Sequence, residues 1–164
     1  MRTKHCYKCG YCVRKYDHHC LITGKCVGEN NQKNFFLFLL IHFIVSSCAP
    51  FYIWPNLIST NWADEKKLNY FVYFEIALLI VSFIFFIFTT ITVFVLICIQ
   101  TYLICTNCTM REYMNDYRID YLKKIDDPFD EGILKNIWYW LRHNETIWES
   151  KYLTIQEKFE NITL

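Results

Sequence analysis

Nine cysteines stand at 6, 9, 12, 20, 26, 48, 98, 105 and 108, and five of them fall between residues 6 and 26 beside His5, His18 and His19. An odd total arranged in Cys-x2-Cys steps fits metal thiolates in a reducing compartment better than a secreted disulfide framework. Residues 1–34 contain no apolar run. Soft thiolates with imidazole select tetrahedral zinc. The knuckle Cys6-x2-Cys9 supplies half a site, and His19 and Cys26 are available for the other half. His5, Cys12, His18 and Cys20 remain. The order Asp17-His18-His19-Cys20 places a thiol beside an imidazole, with a carboxylate able to orient that imidazole, which is the logic of an activated nucleophile. The two histidines differ by one residue and therefore by direction, so they can serve two roles. A nucleic-acid-binding zinc finger fits less well, because the usual His-x3–5-His half is missing and an apolar run follows at once.

The elements that must carry these residues read as a membrane protein. Of 164 residues, 54% are hydrophobic and 19% aromatic, with only 4 Gly and 3 Pro, which excludes a disordered or low-complexity chain. The formal net charge of +1 directs nothing toward nucleic acid. Charge is segregated. Residues 1–34 hold seven Lys/Arg against Asp17 and Glu29, and residues 106–164 hold eight Lys/Arg and eleven Asp/Glu. Phe35 to Trp54 and Ile76 to Ile99 contain no Lys, Arg, Asp or Glu, and each is long enough to cross a hydrocarbon core of about 30 Å. The basic lead-in puts residues 1–34 in the cytoplasm, and two crossings return the chain there near Cys105. Trp54 and Trp62 suit the far interface. The expected organisation is a cysteine-rich domain over 1–34, a span over 35–55, a lumenal loop over 56–70, a second span over 71–105 with its core at 76–99, and a cytoplasmic region over 106–164. The fold class is an α-helical integral membrane protein with two transmembrane helices and a small zinc-binding cytoplasmic domain.

The stretch His5-Cys6-x2-Cys9-x2-Cys12-x4-Asp17-His18-His19-Cys20-x5-Cys26-Val27-Gly28-x2-Asn31-x3-Phe35-x2-Phe38-Leu39 resembles the cysteine-rich domain of the DHHC-type protein S-acyltransferases, or palmitoyltransferases. Arg2-Thr3-Lys4 looks like that domain's basic lead-in. After the second span, Asn107-x-Thr109-x2-Glu112 is similar to the family's Asn-x-Thr-Thr-x-Glu motif, with Met110 at the second Thr. Phe129-Asp130-x-Gly132-x3-Asn136 looks like its C-terminal motif. The resemblance implies two Cys3His zinc sites. Cys6, Cys9, His19 and Cys26 would form one. His5 and Cys12 would join the other, with an earlier Cys-x2-Cys pair. That pair and two earlier spans, usual in the family, lie upstream of anything in this sequence, so the expectation is an N-terminally truncated chain or an incomplete second site.

The resemblance also implies a mechanism. Asp17 orients His18, His18 takes the proton of Cys20, and Cys20 attacks the thioester of a long-chain acyl-CoA such as palmitoyl-CoA. A membrane-proximal cysteine of a protein substrate then receives the acyl group. The implied partners are acyl-CoA, such protein substrates and the lipid bilayer, without nucleic acid. Both termini are expected in the cytoplasm, and the host membrane is expected to be the Golgi, the endoplasmic reticulum or another endomembrane. Leu21-Ile22 replaces the family's Pro-Trp, Lys25 replaces an Asn, and Met110 lacks a hydroxyl that bonds the triad carboxylate in the family. Those departures leave open a second reading, a catalytically inactive, zinc-organised membrane adaptor.

Other residues carry weaker signals. Arg14, Lys15, Lys25 and Lys33 could meet CoA phosphates or be ordinary juxtamembrane charges. His42 is an ionisable group in an apolar run. Cys105 and Cys108 are possible acylation acceptors or idle thiols. Ile133 to Leu141 reads as an amphipathic helix that lies on the membrane or packs on the cysteine-rich domain. Three Asn-x-Thr sites, at Asn107, Asn144 and Asn161, are idle if cytoplasmic.

Overall fold

The structure is a computed structural model and describes residues 2–59, 70–123 and 128–142. Trp62, the charges from Asp64 to Lys67, Asn144, Trp148 and Asn161 lie outside the described residues.

Two short antiparallel hairpins come first. β1 (Lys4–Cys6) pairs with β2 (Tyr11–Val13), and β3 (His18–Cys20) pairs with β4 (Lys25–Val27). The registers set His5 opposite Cys12 and His19 opposite Cys26. Each turn needs a residue with positive φ just before its second strand, and Gly10 (φ 75°) and Gly24 (φ 64°) supply it. Gly28 is required for a different reason. A Cβ there would stand 2.6 Å from Val13 Cγ1 and 2.8 Å from the Arg14 carbonyl oxygen, so only glycine lets the hairpins approach.

Asn31 links the second hairpin to the first long helix. Its Oδ1 accepts from Gly28 N–H at 2.9 Å and its Nδ2 donates to the Cys26 carbonyl at 2.8 Å. α1 (Gln32–Ser59) and α2 (Tyr70–Cys105) follow. By rise alone they are about 42 and 54 Å long. Their most apolar stretches are only 11% and 6% buried, so neither is the core helix of a water-soluble domain, and a bilayer is the solvent that suits them. Pro50 and Pro55 sit inside α1. The hydroxyls of Thr89, Thr90 and Thr92 donate to carbonyls four residues back, which removes their polarity from lipid. Phe43 meets Phe94 and Trp54 meets Phe83, at ring separations of 5.8 and 5.7 Å.

Among the described residues, those within Phe36–Ile99 form one compact unit, and the cysteine-rich hairpins form another with those from Gln100 to Arg142. In that second unit lie α3 (Met110–Met114), a 3-10 turn (Asp116–Arg118) and α4 (Ile133–Arg142). Thr109 caps α3 through a capping box with Glu112. The fold is thus two long apolar helices with a small cysteine-rich domain, as the residue pattern predicts.

Candidate active site and metal centre

Strand β3 carries three chemically active residues in succession. Side chains alternate across a strand, so His18 and Cys20 share one face while His19 points to the other. The two faces build two different centres.

On the His19 face, the ligand atoms of Cys6, Cys9, His19 and Cys26 all lie within 4.8 Å of one another. His19 Nδ1 is 3.6, 3.4 and 3.5 Å from the sulfurs of Cys6, Cys9 and Cys26, and Cys9 Sγ is 3.4 Å from Cys26 Sγ. A tetrahedral zinc with bonds of about 2.3 Å to sulfur and about 2.05 Å to nitrogen requires S···N edges of about 3.6 Å. The donor set therefore fits such an ion. Burial first, and then the Cys6 and Cys9 sulfurs, push the Cys26 thiol up to about 12. Burial also raises Cys6, but hydrogen bonds from Cys26 and from the backbone of Cys9 and Lys8 outweigh it, and the net direction is down.

Beside His18, just before β3, Asp17 is 2% exposed and its carboxylate receives three donors. His18 Nδ1 lies 2.8 Å from Oδ2, Gln100 Nε2 donates to Oδ2 at 3.1 Å, and the Met110 backbone N–H donates to Oδ1 at 2.5 Å. The Asp17 N–H donates to the Val27 carbonyl, which holds the residue against β4. His18 packs edge-on against Phe35 at 5.2 Å. Burial pulls the His18 imidazole down, but the Asp17 hydrogen bond and charge, together with Cys20, reverse this and raise it. Cys20 is buried and lies in no metal group found among the described residues. Burial raises its thiol, yet the Thr23 side chain and amide, His18 and the Ile22 amide outweigh that and lower it. The β3–β4 turn therefore offers a small nest of donors to a Cys20 thiolate.

A third network braces Asp17 from behind. Glu112, 2% exposed, accepts from Arg2 Nε at 2.8 Å, from Tyr121 Oη at 2.7 Å and from the Thr109 N–H at 2.8 Å. Asn107 adopts φ 50° and accepts from Lys15 Nζ at 2.9 Å, while its Nδ2 donates to the Phe129 carbonyl. Asn136, 1% exposed, donates to the Cys105 carbonyl and to Asp130 Oδ1, both at 2.6 Å. The two later sequence motifs thus close the end of α2 onto the cysteine-rich domain.

His5 Nδ1 and Cys12 Sγ meet at 3.5 Å on an exposed edge, and no other His, Cys, Asp or Glu among the described residues completes a group there. Three of the four cations considered for phosphate contact have protein partners: Arg14 pairs with Glu29, Lys15 donates to Asn107, and Lys33 donates to the Leu141 carbonyl. The missing hydroxyl at Met110 matters less than its side chain suggests, because the main-chain N–H reaches Asp17. Sequence reasoning missed Gln100, whose only signal is a long amide near the end of an apolar run.

The family profile of the DHHC palmitoyltransferase matches residues 1–117. The chain belongs to the DHHC palmitoyltransferase family. It is 36% identical over 167 residues to a Dictyostelium discoideum protein named as ZDHHC-type palmitoyltransferase 7, covering 96% of this chain and 36% of that protein. It is 31% identical to mouse palmitoyltransferase ZDHHC17, over 84% of this chain and 23% of that protein. With Arabidopsis thaliana protein S-acyltransferase 15 the identity is 34%, over 90% of this chain and 58% of the relative. The chain therefore spans between about a quarter and three-fifths of these DHHC relatives.

Proposed function

We propose that this chain carries the catalytic centre of a membrane protein S-acyltransferase, which moves a long-chain acyl group from acyl-CoA to protein cysteines through an acyl-Cys20 intermediate. The observation that carries the proposal is a buried Cys20, outside the metal group, on the same strand face as a His18 whose ring is bonded to Asp17.

In the first step His18 accepts the Cys20 proton and the thiolate attacks the thioester carbonyl. The acyl–sulfur bond to CoA breaks, and the departing CoA thiolate takes the proton from His18. In the second step His18 accepts the proton of a substrate cysteine, whose thiolate attacks acyl-Cys20. Cys20 leaves as thiolate and recovers the proton. Bound at Cys6, Cys9, His19 and Cys26, zinc would supply structural cross-linking that holds β3 in register. His5 and Cys12 would contribute to a second site. A sixteen-carbon chain would favour the bilayer by about 0.8 kcal/mol per buried methylene, which draws the thioester to a membrane enzyme. Residues 1–34 and the chain after Cys105 would face the cytoplasm, as the Lys/Arg bias directs.

The test is incubation of the full-length protein in lipid nanodiscs with palmitoyl-CoA. A hydroxylamine-sensitive acyl group should appear on Cys20 and should be absent from Cys20→Ser. A zinc-loaded wild-type protein that takes no label would favour the inactive-adaptor reading, for which Leu21, Ile22 and Lys25 speak.

A further inference from the structure

We propose that Gln100 is a positioning residue for the acyl-transfer reaction: its side-chain amide fixes the orientation of the Asp17 carboxylate, and through it the His18 ring. This inference rests on the reading of Cys20, His18 and Asp17 given above.

The hydroxyls of Thr89, Thr90 and Thr92 in α2 satisfy themselves within the helix, at carbonyls four residues back. Gln100 does not. It is 2% exposed, and it spends its amide N–H on Asp17 Oδ2, 83 residues away, at 3.1 Å. Its Oε1 is buried and has no hydrogen-bond partner among the described residues. A buried amide oxygen left unsatisfied is unfavourable, so packing alone would choose Leu or Met here. What the glutamine gains is a charge-assisted hydrogen bond to the carboxylate that orients the base.

The geometry makes this donor distinctive. Asp17 Oδ2 serves both Gln100 Nε2 and His18 Nδ1, while Oδ1 serves the Met110 main chain. With Oδ1 tied on one side and Gln100 on the other, the carboxylate plane cannot turn about its last torsion, and the lone pair facing His18 stays aimed at Nδ1–H. Of the two donors that lie outside the triad, only Gln100 uses a side chain. It therefore tunes the triad from the end of the second long helix without touching substrate.

The experiment compares full-length wild type, Gln100→Met and Gln100→His in nanodiscs, reading the rate of acyl-Cys20 formation from palmitoyl-CoA, its KM, and zinc content. Gln100→Met keeps the shape and removes the donor. It should slow acylation roughly ten-fold or more at unchanged KM and unchanged zinc, the scale expected from one lost hydrogen bond to a charged group. Gln100→His restores a donor of similar reach and should recover most of the rate. Acylation by Gln100→Met at the wild-type rate overturns the proposal. So does Gln100→His as slow as Gln100→Met with zinc retained, because then the donor is not what matters. If Gln100→Met loses zinc, the Gln100→His rate alone decides, recovery supporting the role and a slow rate refuting it. Wild type without any label removes the acyl-Cys20 reading, and this inference with it, whereas a labelled wild type with indifferent variants removes this inference alone.

Discussion

Arg2 grips Glu112 with two parallel donors, Nε on Oε1 and Nη2 on Oε2, across 110 residues of sequence, and both side chains are at most 3% exposed. The guanidinium also stacks over Phe129 at 4.1 Å and donates to the Asn107 carbonyl at 2.8 Å. The start of the cysteine-rich domain is thereby fastened to the segment that follows α2, which is the segment that delivers Met110 N–H to Asp17.

Breaking this pair from one side should be expensive. Arg2→Met leaves a buried carboxylate with no cation and should destabilise the domain by about 3–5 kcal/mol. The pH dependence gives the sign. Burial raises Glu112, but the Arg2 charge and hydrogen bonds, Tyr121 and the Thr109 amide outweigh it and hold the carboxyl below its ordinary 4.5. Its contribution in the wild type is fully present above that value and is lost as pH falls through the lowered one. In Arg2→Met the charge and hydrogen bonds of Arg2 are gone, burial, the largest influence, outweighs the remaining Tyr121 and Thr109 bonds, the folded value rises above the unfolded one, and stability falls as pH rises. Denaturant melts of the two proteins should diverge steadily from acid to neutral pH. Parallel pH curves would contradict the assignment.

Two adjacent histidines should fail differently. His19→Ala removes the only nitrogen from the four-ligand group and should release metal and lower the melting temperature of the cysteine-rich domain. His18→Ala should keep metal and fold and lose acyl-Cys20 formation by a factor of about 100 or more, the usual loss for a general base. Metal analysis and acyl labelling of the same preparations separate the two. Equal metal loss in both variants would undo the division of β3 into two faces.

Gly28→Ala should destabilise by about 1–3 kcal/mol, an overpacking penalty, because the new methyl meets the Arg14 carbonyl oxygen as well as the Val13 side chain. Val13→Ala added to Gly28→Ala should recover only part of the loss, since the backbone oxygen cannot move away. A thermal melt of the single and double variants checks this.

The Cys/His cluster and the neighbourhood of Asp17, His18 and Cys20 were legible in the sequence for a specific reason. Cys6, Cys9, Asp17, His18, His19, Cys20 and Cys26 are close in sequence and sit on short hairpins, where register and two-residue alternation convert spacing directly into geometry. Gln100 was not legible. It reaches Asp17 only through long-range packing, and a lone polar residue in an apolar run has no spacing partner to announce it. Met110 acts through its main chain, and a backbone N–H has no residue-type signature at all. The ends of the first long helix were blurred for another reason: an apolar run marks what needs lipid, whereas α1 keeps its hydrogen-bonded turns from Gln32 to Ser59, past both ends of the run.

Met110→Pro isolates the main-chain contribution to the triad. Met110 is the first residue of α3, directly after the N-cap Thr109. Proline is well tolerated there, because the first helical N–H has no partner inside the helix. The residue before a proline must be extended, and Thr109 already is, with φ −104° and ψ 156°. The capping box between Thr109 and Glu112 uses neither the Met110 N–H nor its side chain. The substitution therefore deletes one thing, the donor to Asp17 Oδ1. Metal content and melting temperature should stay near wild type, while acyl-Cys20 formation falls about ten-fold or more, the scale of one charge-assisted hydrogen bond. Met110→Ala, which keeps the N–H, should label at nearly the wild-type rate. Full activity in Met110→Pro would mean that Gln100 and His18 hold the carboxylate without help from α3.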